Sequence, residues 1–248
     1  MKMRISSLLA TLSLMPFVLW GQVIIQPYAG HLFGEMENAN SVVKASINQA
    51  SELLGEEIQS PGKFDGGQMY GLQLTYNTHS DLFININVGY HSQKLGTSQV
   101  SVLEPGSWEY RFERKVELYD VTLNLQHFLN YSSWRRLNYY LGLGAGWMML
   151  QADSYTYSTA SMLPLDSRGS FNRSIFSGNL AAGMRFRLAG LLFLWGEGGL
   201  QYGNFGKLEG TVTTLEEPRP VPDQTETEFD LTGFFVRGGI GFVLPFLR

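Results

Sequence analysis

Over residues 139–149 the chain alternates with strict period two. Tyr139, Leu141, Leu143, Ala145, Trp147 and Met149 fall on one face, and Tyr140, Gly142, Gly144, Gly146 and Met148 on the other. Period two is the repeat of a β-strand, whose successive side chains point to opposite sides. In a soluble sheet the large face would be core and the opposite face would carry charge. Here the opposite face is small, which suits the inside of a narrow barrel whose outside is apolar. A run of this length also matches the roughly 9–11 residues that a tilted strand needs to cross a bilayer.

The alternation recurs over 70–77, 82–91, 119–126, 179–188, 192–202 and 234–242. An eighth, less regular run spans 23–33, where Pro27 predicts a bulge or strand end. The connections alternate in length. Long ones cover 34–66, 92–115, 151–173 and 204–228, and short ones lie near 78–80, 130–136 and 189–190. Outer-membrane barrels have this asymmetry, with short periplasmic turns and long external loops. The expected fold is therefore all-β: an eight-stranded antiparallel up-and-down transmembrane barrel with long external loops and both termini in the periplasm. The second loop itself alternates (Val100, Val102, Trp108, Tyr110, Phe112), so it either extends a hairpin above the membrane or raises the count to ten strands. In the first loop Val43, Ile47, Ala50 and Leu54 stand at helical spacing, with Asn40 or Ser41 as cap and Gly55 as stop. That helix is expected to pack on the barrel rim rather than act as a lid.

Composition narrows the class. Charged residues make up 16% of the 248, and the mean hydropathy of −0.07 is far too low for a bundle of membrane helices. The net charge of −4 argues against a nucleic-acid partner. The absence of cysteine excludes disulfides and thiolate metal sites. Lys2 and Arg4, the mostly apolar run 5–19 and the small Gly21 have the layout of a secretory signal, cut after Gly21 or Gln22. The expected division is 1–22 signal peptide and 23–248 barrel domain.

Alternation places five charged residues in the lumen: Asp120, Arg185, Arg187, Glu197 and Arg237. Buried charges are costly unless paired, so Glu197 is expected to pair with Arg185 or Arg237 from the strands on either side. Tyr70, Tyr76, Tyr90, Tyr119, Tyr139, Trp147 and Tyr202 sit near strand ends, as an interfacial girdle would. Enzyme chemistry finds little support. The histidines are His31, His79, His91 and His127, and only His91-Ser92 could belong to a Ser–His–acid set. Adjacent strand residues point to opposite faces, so the pair is poorly placed. Gly142-x-Gly144-x-Gly146 lacks the helix of a phosphate loop. No metal-ligand spacing and no cofactor motif occur. The loops 34–66 and 204–228 each carry six carboxylates against two basic residues, a pattern of solvated surface more than of cation binding.

The last strand contains Arg237-x-Gly239-x-x-Phe242-x-Leu244, followed by Pro245-Phe246-Leu247-Arg248. It resembles the C-terminal assembly signal of outer-membrane barrels, and with the features above the chain resembles the OmpA/OmpX-like porin-type family, as a stand-alone barrel without a peptidoglycan-binding domain. The resemblance implies a place in the bacterial outer membrane. It implies contact with outer-membrane lipid and lipopolysaccharide, and handling by periplasmic chaperones and the barrel-insertion machinery, which reads the signal. It also implies a monomer with a structural or surface-interaction role through its external loops. A small channel or hydrophobic-ligand carrier is the alternative, ahead of a lipid-modifying enzyme and a soluble exported sandwich.

Overall fold

Apolar solvent offers no partner to a backbone N–H or C=O, so a sheet surrounded by lipid has to close on itself. This one does. A computed structural model describes residues 22–34, 37–77, 81–103, 106–132, 135–160, 165–214, 218–221 and 228–244. Residues 1–21 of the expected signal peptide and His79 lie outside them, and Gln22 already belongs to the first strand. Strands β1 (Gln22–Phe33), β2 (Gly66–Asn77), β3 (Leu82–Leu103), β4 (Gly106–Phe128), β5 (Leu137–Ser158), β6 (Leu165–Ala189) and β7 (Leu192–Tyr202) pair with their sequence neighbours. Four short strands follow: β8 (Asn204–Lys207), β9 (Glu209–Thr213), β10 (Pro218–Val221) and β11 (Glu228–Asp230). Strand β12 (Gly233–Leu244) then pairs with β7 on one side and β1 on the other. The result is a ring of eight antiparallel strands.

The faces fall as alternation requires. Leu143, Trp147 and Phe234 on the outside are each more than 60% exposed, while Tyr140, Met148, Asn85 and Gln73 on the inside are at most 2% exposed. A soluble barrel has the opposite polarity. This outer wall is compatible with hydrocarbon, and the aromatic groups Tyr70, Tyr119, Tyr139, Trp147 and Tyr202 stand out from it.

Three expectations need correction. The segments 92–115 and 151–173 are not loops, because β3 to β6 run on through most of them, with 22, 23, 22 and 25 residues against 11 or 12 in the other ring strands. The surplus of about ten residues carries the sheet roughly 30 Å further along the strand direction, and β9 and β10 widen it beyond β6. The alternation at 100–112 marked this extension, and the ring still has eight strands. Pro27 neither bulges nor ends β1. The β1–β12 ladder skips Gln26 and Pro27 and resumes in the same register at Tyr28↔Gly239, because the missing N–H removes a local rung without shifting the strand. Helix α1 (Glu37–Leu54) begins ahead of the expected cap. Asn40 lies in its first turn and clamps the returning chain instead, donating to the Phe64 carbonyl at 2.9 Å and accepting from the Phe64 N–H at 2.6 Å. Gly55 does end the helix, at φ +70°.

Ala39, Val43, Ile47 and Ala50 form the buried stripe of α1, which packs against β11. With Leu95, Tyr110, Phe112, Phe205 and Phe229 they join one continuous apolar cluster on the inner side of the extension. The core of the protruding sheet is continuous with that of the barrel, and α1 belongs to it.

Candidate functional site: a sealed lumen and an outward sheet

Glycine and large polar groups alternate across the lumen because the interior is narrow. A Cβ on Gly71 would come within 2.3 Å of the Tyr28 ring, and one on Gly183 within 2.4 Å of Tyr140. These glycines make room for a central network. Glu197 on β7 accepts from both Nε and Nη2 of Arg237 on β12, each at 2.6 Å, through Oε1. Its Oε2 accepts from the Tyr140 hydroxyl at 2.8 Å and from Gln126 Nε2 at 3.3 Å. Arg237 also lies over the rings of Tyr28 and Phe235, at 4.8 and 5.1 Å. Asp120 on β4 accepts from Asn87 Nδ2 at 2.8 Å. Every oxygen of Glu197 is occupied, which is the condition under which a buried ion pair is tolerated.

Of the two partners expected for Glu197, the bonded one is Arg237. Arg185 lies nearer the short-turn end, over the rings of Phe193, Phe128 and Phe83 at 4.4, 4.9 and 5.2 Å. Arg187 lies at the short-turn mouth of the lumen: it is exposed, lines the mouth beside Arg185, and donates from Nε and Nη2 to the Gly190 carbonyl, at 3.3 and 3.1 Å. The strand pairing with β7 holds its register through Arg187↔Phe193 and shifts only beyond it, before Ala189, so Arg187 is the last residue of the regular ladder. Tyr140, Gln126, Asn87 and Tyr28 complete the network. Alternation assigns them inward, but nothing in it says which neutral residues will meet the charges.

Above the barrel the outward face of the extension is polar and ladder-paired. Glu113 bridges Lys94 Nζ at 2.9 Å and Arg111 Nη2 at 2.5 Å. Glu117 accepts from Lys115 Nζ at 2.9 Å and from the Tyr90 hydroxyl at 2.6 Å. Hydrogen bonds from Lys94 and Arg111 hold the Glu113 carboxyl below its ordinary range, and those from Tyr90 and Lys115 do the same for Glu117. On the inner side Tyr110 is pushed up to about 12 by burial. Burial also lowers Arg114 to about 10, while its guanidinium lies 5.6 Å from the Phe229 ring centroid.

His91 is buried, and neither ring nitrogen has a hydrogen-bond partner among the described residues. Ser92 follows on the opposite face. His127 lies exposed on the outside of β4, and His31 stacks at 4.4 Å from Phe33. Among the described residues no three His, Asp or Glu groups gather as a metal site would. In the expected assembly signal Arg237 and Gly239 face inward, whereas Phe242 stands on the outer wall. A Cβ on Gly239 would come within 2.0 Å of the Pro27 carbonyl oxygen, so the close approach of β12 to β1 needs glycine there. Leu244 ends β12 and pairs with Val23.

No protein-family model matches this chain, and no curated protein matches it in sequence. Solved structures do resemble it. A major outer-membrane protein from Thermus thermophilus superposes with a TM-score of 0.50 at 11% identity, covering 90% of this chain and 99% of that one. OprG from Pseudomonas aeruginosa gives 0.49 at 12% identity over 90% and 96% of the two chains. The attachment protein Ail of Yersinia pestis, solved with the heparin analogue sucrose octasulfate, gives 0.41 at 14% over 90% and 97%. At 11% identity the first of these likenesses speaks for the fold alone, an outer-membrane type of β-barrel, and the ring of strands gives the count of eight.

Proposed function

We propose that this chain is an OmpA/OmpX-like barrel of the bacterial outer membrane, non-enzymatic and monomeric. In this reading it is exported by a cleaved signal peptide and inserted through its C-terminal strand. Its role is to hold a rigid β-sheet and its covering helix beyond the outer leaflet for surface contacts. The observation that carries the reading is the mismatch in strand length. Four neighbouring ring strands run about ten residues past the others, and the part that projects has an apolar inner side that continues the barrel's core and a polar, ion-paired outer face. A barrel that only sealed or only conducted would have no use for that projection. In this reading the lowest outward residues of the extension meet lipopolysaccharide headgroups.

The lumen argues against the channel alternative. The bonded Glu197–Arg237 pair, with Tyr140 and Gln126, lies across the middle, and the packed rings of Phe83, Phe128 and Tyr140 lie between it and the short-turn mouth. An epitope inserted between Leu103 and Gly106 tests the orientation. Antibody labelling of intact cells is the expected result. Labelling only after the outer membrane is permeabilised would refute it.

A further inference from the structure

Arg185 is 8% exposed, and its guanidinium is unusual in how it is held. Three aromatic rings, Phe83, Phe128 and Phe193, satisfy it with their faces, at 4.4 to 5.2 Å. A π-face stabilises the cation but accepts no hydrogen bond in the guanidinium plane. Nε and Nη2 have no acceptor among the described residues. The nearest acid in the lumen, Glu197, is already spent on Arg237, Tyr140 and Gln126.

Arg185 lines a cavity of about 160 Å³ at the short-turn end of the barrel. Arg135 and Arg187 line the same cavity, with Asn77, Tyr131 and Ser132, and its described lining contains no carboxylate. The Tyr131 hydroxyl accepts from Asn77 at 3.1 Å, which leaves its own proton to donate. Arg187 is fixed by its bonds to the Gly190 carbonyl, so its charge stays at the rim. The sequence holds no sign of such a place, because these residues come from three separate segments.

We propose that this cavity is a binding site for one small oxyanion, a carboxylate or phosphate group, drawn in by the charges of Arg185 and Arg135 on its wall. A hydroxyl donor and a lining rich in arginine, without a carboxylate, are what such an anion requires. The volume admits an anion of that size and not a lipid or a sugar chain. In the orientation proposed above the site opens to the periplasm. That address rests on the proposed function, whereas binding itself does not.

The test is calorimetric titration of the detergent-solubilised barrel with inorganic phosphate and, separately, with acetate. The two salts distinguish the two anion chemistries. Saturable binding of either, with a Kd of about 1 mM and at least about tenfold weaker in Arg185→Met, is expected. The variant's closure is checked by its gel shift on heating. Equal binding in wild type and Arg185→Met means an adventitious ion only and overturns the site. Should the variant fail to close, the ¹⁵N resonance of Arg185 Nε in the wild-type barrel decides. A shift that saturates with either salt supports the site, and no shift up to about 100 mM overturns it. Epitope labelling on cells can fail without touching this result, so the two proposals fall separately.

Discussion

At the residue scale the lumen is decided by who meets Glu197. Removing one partner of a buried, fully bonded pair leaves an uncompensated charge, at about 3–5 kcal/mol. Glu197→Ala should therefore lower the urea midpoint of unfolding strongly, and Glu197→Lys further, because it sets two cations side by side. An unchanged midpoint for both would contradict the network. Gly183→Val is expected to destabilise as well, since its Cβ would meet the Tyr140 ring that holds Glu197. Much of this was legible: Asp120, Arg185, Glu197 and Arg237 all point inward, as alternation requires. What alternation could not supply was the choice between two arginines flanking one glutamate. Arg237 bonds Glu197, and Arg185 is drawn to three rings that come from β3, β4 and β7. Such a cage exists only once the sheet has closed. Arg187 is exposed although it keeps the inward register, because the ladder ends there and the side chain reaches the rim.

At the element scale the extension and α1 carry the account. Alternation beyond the membrane was visible at 100–112, yet a polar strand face above the bilayer reads much like a loop, since nothing apolar marks its outer side. The Asn40 clamp on Phe64 could not be read from the chain because its partners lie 24 residues apart. Asn40→Ala should free that return segment. Limited proteolysis is then expected to cut within 55–65 faster while the barrel fragment stays intact, and unchanged cleavage would count against the clamp. The ion pairs also set a pH response. Glu113 and Glu117 have folded-state values below their ordinary 4.5. Their contribution is therefore complete above about pH 4.5 and is lost as pH falls through the lower folded values. Amide hydrogen exchange, compared at matched chemical exchange rate, should show strands 94–98 and 111–115 losing protection on acidification below that point. The ring strands should hold theirs. Uniform loss, or loss on raising the pH, would contradict the ladder.

At the scale of the whole molecule, the closed ring is what the alternation and loop asymmetry foretold, and the fold follows from one constraint: backbone polar groups in hydrocarbon need partners. The filled lumen makes the barrel electrically silent in planar bilayers in this account, and steady ion conductance would contradict that. The central claim is closure itself, a detergent-resistant barrel in a membrane. Electrophoresis of the detergent-solubilised membrane fraction, unheated against boiled, tests it most directly. The account predicts two mobilities, with the unheated form shifting to the unfolded position only after boiling. A single mobility under both conditions, with the protein recovered from the soluble periplasmic fraction, would contradict it.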